Sequence, residues 1–138
     1  MVAFSVSVRE DGAVSEPTEE MIKVALELFD AARDGQTARV LAYVDAGVPV
    51  DLTDHQGNTL LLLAAYHGHA SLVDGLAERG AGVDTANDRD QVAIAGALFK
   101  GYDDVTAVLL RHGASLDVGT PTGRDAAEMF QRALPESR

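Results

Sequence analysis

Apolar residues along this chain fall into short helical stripes, and the stripes recur. In "EEMIKVALELFDAAR", Ile22, Ala25, Leu26, Phe29 and Ala32 keep the three- and four-residue spacing that places side chains on one helix face. Thr18 stands where a hydroxyl can accept from the free N–H groups of a first turn, and Glu19 and Glu20 suit the positive end of its dipole. A second stripe, "TARVLAYVDAG", carries Val40, Leu41, Tyr43 and Val44 and stops at Gly47, a residue type that ends helices in the left-handed conformation. "ASLVDGLAERG" and "DDVTAVLLRHG" repeat that design. The pattern predicts pairs of short helices with tight turns at Gly35, Gly68 and Gly101. After each pair comes a polar stretch, "VPVDLTDHQGN", "AGVDTANDRDQ" or "ASLDVGTPTGR", rich in Asp, Asn and Gly and suited to projecting β-turns.

Three marker columns share one interval of 33 residues: Gly35, Gly68 and Gly101; Gly47, Gly80 and Gly113; Asp51, Asp84 and Asp117, preceded by Val50, Val83 and Leu116. A fixed period of this length identifies units that cannot bury their apolar faces alone and stack to do so.

The central unit, Asp54 to Asp84, "DHQGNTLLLLAAYHGHASLVDGLAERGAGVD", carries D-x-x-G-x-T, L-x-x-A-A, G-H, V-x-x-L and G-A-x-V-[DN] in order. In this it resembles the ankyrin-repeat family, and the resemblance runs from about residue 20 to residue 134. The whole is similar to the short, stand-alone ankyrin proteins of bacteria. The resemblance implies an all-α solenoid of stacked helix-turn-helix units with β-turn fingers. Its expected divisions are a degenerate cap at 18–50, full repeats at 51–83 and 84–116, a truncated cap at 117–134 and a tail at 135–138.

Departures from the family pattern carry further expectations. Thr59-Leu60-Leu61-Leu62 stands for T-P-L-H, keeping the capping threonine and exchanging a polar network for packing. In the next unit the column is Val92-Ala93-Ile94-Ala95, so the cap is missing at a cost of about 1 kcal/mol. The helix after Asp90 is expected to fray first, and Asp125 to restore a cap in the last unit. Gly96 lies inside a helix, where Gly is about 0.5 to 1 kcal/mol less favourable than Ala. It is taken as tolerated variation in a repeat held by its neighbours, the alternative being close approach of a partner or adjacent helix.

Composition narrows the function. Eleven Lys and Arg against 22 Asp and Glu give a formal charge of −11, which repels phosphate backbones and anionic lipids; nucleic acid and membrane partners are excluded, and a protein with a basic surface is favoured. Solubility is an equal explanation of that charge. The absence of cysteine removes disulfides and thiolate sites and accords with a cytoplasmic setting. "MVAFSVSVREDGAVSEP" lacks the basic start and apolar run of a signal peptide, and the block Leu60 to Tyr66 falls far short of the ~20 residues that span a bilayer.

Chemical candidates are few. His67 and His69, with His55 or Asp74, are the nearest approach to a zinc site, but no thiolate or second cluster supports them, and the family resemblance gives His69 an inter-repeat hydrogen-bonding role. His112, before the helix-ending Gly113, suits a negative dipole end and needs no other role. No G-x-S-x-G, Walker or dinucleotide glycine pattern occurs, and Asp51, Asp84 and Asp117 sit in repeat register as architecture. Neither an enzyme nor a cofactor protein is expected.

What remains is surface. By family resemblance, turn tips and first helices line a concave groove, here His55, Gln56, Asn58, Tyr66, His67, Asp88, Arg89, Gln91, Phe99 and Lys100. Tyr66 and Phe99, one period apart, are expected side by side, flanked by Leu63 and the gap at Gly96, and either anchor a partner or only shield the helices. The expected function is non-enzymatic protein binding as an adaptor, inhibitor or accessory factor. The alternatives are a bacterial stress or detoxification accessory and, with less support, a metal- or small-molecule-binding protein. Residues 1–17 stand apart: "VAFSVSV" alternates Val2, Phe4, Val6 and Val8 like a half-buried strand. Whether it folds back, self-associates, pairs with another protein or stays disordered is open.

Overall fold

A computed structural model describes residues 18–130. Among these, seven helices and no strand appear: α1 (Glu19–Asp34), α2 (Thr37–Asp45), α3 (Leu60–Tyr66), α4 (Ala70–Glu78), α5 (Ala93–Lys100), α6 (Asp103–Arg111) and α7 (Gly123–Met129). The strand expected near the N-terminus and the chain beyond Phe130 lie outside the described residues. No described helix is long and apolar enough to cross a membrane.

Two layers result. The first helix of each unit packs on the next in the order α1, α3, α5, α7, and the second helices stack as α2, α4, α6 behind them. The seam between the layers is the core, with Leu28, Leu61, Leu62, Leu72, Leu76, Ile94, Leu98 and Leu109 at 2% exposure or less. The polar stretches project as fingers, the first closed by an isolated bridge between Thr53 and Thr59.

The glycine turn column follows from backbone and space together. Gly35, Gly68 and Gly101 have φ of 73°, 80° and 77°, which L side chains rarely adopt. A Cβ on Gly35 would meet the His69 ring, and one on Gly68 the Tyr102 ring, so these two turns seat a side chain of the following unit. His69 also donates from Nε2 to the Arg33 carbonyl at 2.6 Å, since that oxygen can only accept. This matches the inter-repeat role expected for it.

Further ties run between units in register. Asp51 Oδ1 accepts from the Gly82 N–H at 3.0 Å, and Asp84 Oδ1 from the Ser115 N–H at 2.9 Å. On the outer layer, Arg79 holds the Asp45 carboxylate through two bonds of 2.7 and 3.1 Å. His112 does have a further role: its Nε2 donates to Asp74 Oδ1 at 2.6 Å beside an Arg111 bond of 2.8 Å. The His112 and Arg111 hydrogen bonds hold the Asp74 carboxyl below its ordinary range.

Two expectations need correction. Ile22 and Leu26 are 50% and 58% exposed, whereas Leu28, Phe29, Ala31 and Ala32 are buried. At 1.5 Å per residue the 16 residues of α1 run about 24 Å and the seven of α3 about 10 Å, so the first half of α1 overhangs its neighbour. The cap of α7 is Thr122, accepting from the Asp125 N–H at 3.0 Å, not Asp125 itself. Thr122 has the extended backbone of the other threonine caps, Thr18 and Thr59. α7 therefore begins three residues earlier than the period predicts.

Candidate functional site

The inner helices bring one position of each unit to the concave side. Seven residues after the caps Thr59, Val92 and Thr122 stand Tyr66, Phe99 and Met129. Helix α5 carries Gly96 where α3 carries Leu63, and a Cβ on Gly96 would overlap the Tyr66 ring. Gly96 is thus a seat for Tyr66 and not tolerated variation. Burial against that seat leaves Tyr66 half-exposed and pushes its phenol up to about 12. Phe99 remains 53% exposed and meets Phe130 edge to face, ring centroids 4.7 Å apart. The expected Tyr66–Phe99 neighbours share a wall, with Phe130 as the ring partner of Phe99.

Between them lies a cavity of about 510 Å³, lined by Tyr66, His67, Gln91, Ala95, Gly96, Phe99, Lys100, Pro121, Ala126, Met129 and Phe130. A second, of about 330 Å³, lies between the first two fingers and takes in His55, Gln56, Asn58, Asn87, Asp88 and Arg89, with Tyr66 and Gln91 common to both. All ten residues expected at the groove thus line one or other of two adjoining hollows. Their roles differ. Asn58 is buried; its amide donates to Asp54 and its oxygen accepts from Asn87 at 2.8 Å, so it joins fingers. Asp88 donates its N–H to the Gln56 carbonyl at 3.0 Å, another tie between fingers.

His67 is exposed at the lip, its ring stacked on His69 at 6.5 Å. Burial holds its imidazole below its ordinary value, and the charges of Lys100, His69 and Arg33 add to this against Asp34. Arg33 occupies the α1 counterpart of Tyr66, two residues before the turn glycine, and is paired with Asp30 at 2.9 Å.

The period missed Pro121, Ala126, Met129 and Phe130, because it places the next groove residue at Arg132. The signal that finds them is Thr122, a capping residue preceded by proline and set three positions before Asp125.

A family model described as ankyrin repeats in three copies matches residues 28–120. The ankyrin repeat protein PA3287 of Pseudomonas aeruginosa is 47% identical over 47 residues, 34% of this chain and 28% of that protein. The ankyrin repeat-containing protein P1E11.10 of Schizosaccharomyces pombe is 39% identical over 64 residues, covering 46% of this chain and 30% of its own. The inactive serine/threonine-protein kinase TEX14 of Mus musculus is 28% identical over 99 residues, 72% of this chain and 7% of the kinase-named protein. The chain spans less than a third of the length of each of these relatives. With the repeat columns, the finger ladder and two stacked helix layers in place, the chain belongs to the ankyrin-repeat family.

Proposed function

We propose that this protein is a non-catalytic binding module that takes a partner protein on its concave face, in the cytoplasm, as an adaptor, inhibitor or accessory factor. Repeats of this family generally serve protein–protein interaction. The observation that carries the reading is the grouping of Phe99, Met129 and Phe130, 53%, 60% and 37% exposed, around one hollow beside Tyr66. Exposed apolar side chains gathered in a concavity are binding anchors, whereas scattered ones need no explanation. Rigidity supplies the rest. Finger-to-finger and helix-to-helix ties hold the side chains in place before a partner arrives, so little conformational entropy is lost on binding.

The test is co-purification from the native host with the full chain as bait, followed by titration of the captured partner. Changing Tyr66 and Phe99 together to Ala is expected to weaken binding at least tenfold while the helical content stays intact. Unchanged affinity in that folded variant would remove the groove as the docking face.

A further inference from the structure

The larger hollow has a charge pattern opposite to that of the protein. The chain holds 22 carboxylate residues and 11 Lys and Arg, yet among the described residues no carboxylate lines this hollow, and Lys100 does. Lys100 is exposed and forms no ion pair among the described residues, unlike Arg33, Arg39, Arg79, Arg111 and Arg124. Its place in the last turn of α5 suits the helix dipole and accounts for a cation there. It does not account for the lack of carboxylates among the described residues of the walls. The lip beside it is His67, whose imidazole is held low first by burial and then by Lys100, His69 and Arg33, against Asp34. A cavity near 510 Å³ lies within the roughly 300–1,000 Å³ range of sites that enclose a ligand group.

Resting on the docking role proposed above, we infer that the occupant is a partner's peptide segment that seats one bulky apolar side chain against Tyr66, Gly96, Phe99 and Met129 and sets an acidic residue beside it on Lys100. The groove selects acidic, apolar segments, although net charge alone favours a basic partner. Over distances beyond the Debye length of about 8 Å the overall −11 is screened, and the local cation decides.

The chain contains no tryptophan, so the fluorescence of a tryptophan-anchored peptide reports the peptide alone. Three peptides identical but for flanking Glu, Gln or Lys residues are titrated with the full chain. The Glu peptide is expected to bind about two- to fivefold more tightly than the Gln peptide, with the Lys peptide weakest. Lys100→Glu is expected to reverse the order with only a small fall in melting temperature, because the side chain is exposed and what is lost is its favourable place at the end of the α5 dipole. A Lys peptide that binds best, or an order that Lys100→Glu leaves unchanged, overturns the inference. Equal binding of all three, lost when Tyr66 and Phe99 become Ala, overturns it while the docking role stands; no binding by any peptide, or binding indifferent to that double change, removes both. Binding that appears only after residues 131–138 are deleted assigns the hollow to the chain's own tail, and a dimer dissolved by Phe99→Ala assigns it to a second copy. Either outcome contradicts a partner peptide.

Discussion

The two full repeats occupy the same columns and solve them differently. Helix α3 begins at Thr59, whose hydroxyl accepts from the Leu62 N–H at 3.1 Å; α5 begins at Val92, with no side-chain cap. Within them α3 has Leu63 where α5 has Gly96, and ahead of them Asp54 and Asn87 build the same finger turn. Asp54 Oδ1 accepts from the Gln56 and Asn58 N–H groups at 2.9 Å each, and Asn87 Oδ1 from those of Arg89 and Gln91 at 3.0 Å each. Compensation therefore runs between repeats. Gly96 weakens its own helix but receives Tyr66 from the repeat before. Val92 caps nothing but is 1% exposed, packed beside Gly119 of the finger that follows.

The largest effect is expected from making the repeats alike at the seat. Gly96→Leu forces its side chain onto the Tyr66 ring and should cost about 1–3 kcal/mol of unfolding free energy in denaturant titration. Adding Tyr66→Ala should recover a large part of it, and strictly additive changes would mean that the two positions are not coupled.

Next are the caps. Thr59→Val should cost about 1 kcal/mol, and Val92→Thr should gain less, because it sets a hydroxyl into a buried site. A loss at both positions would show that Val92 is worth more as packing than as a cap. Amide exchange sharpens the contrast: the N–H of Ala95 should exchange faster than that of Leu62, which Thr59 protects. The reverse order would remove the expectation that α5 frays first. Thr120 binds Asp90 through its N–H at 2.8 Å and its hydroxyl at 2.7 Å, so fraying is confined to the first turn after Asp90.

The smallest difference is in pH response. Burial pushes the Asp54 carboxyl up, but hydrogen bonds from the Asn58 and Gln56 N–H groups and the Asn58 amide together bring it below its ordinary value. A carboxyl depressed in the folded state adds stability that is complete above its unfolded value of about 3.9 and lost as pH falls through the lower folded value. The first finger should therefore loosen below about pH 4 while the Asn87 finger, with a neutral acceptor, does not. Asp54→Asn should bring the two fingers to the same response, read from the exchange of the Gln56 and Asn58 amides between pH 5 and 3.

Much of this was legible in the sequence. The 33-residue columns locate the turns at Gly35, Gly68 and Gly101 and the finger aspartates, because each rests on a local rule repeated in register; the ten groove residues came with the family resemblance, which named neither Ala95 nor Asn87 of the two hollows. What escaped depends on contacts between units. A glycine in a helix pattern carries no mark of the ring that fills it, so Gly96 resembled variation until Tyr66 was placed. The exposure of Ile22 and Leu26 follows from the short α3, not from the spacing within α1. The early start of α7, and with it Met129 and Phe130, was hidden because a strict period overrides a local cap at Thr122.

On the proposed reading, the inner helices and fingers, not the outer layer, receive the partner. Hydrogen exchange of the full chain with and without its co-purified partner tests this most directly. Slowed exchange is expected only in the first two fingers and in the C-terminal turns of α3, α5 and α7 around Tyr66, Phe99 and Met129. Protection concentrated on α2, α4 and α6, with the groove unchanged, would contradict it.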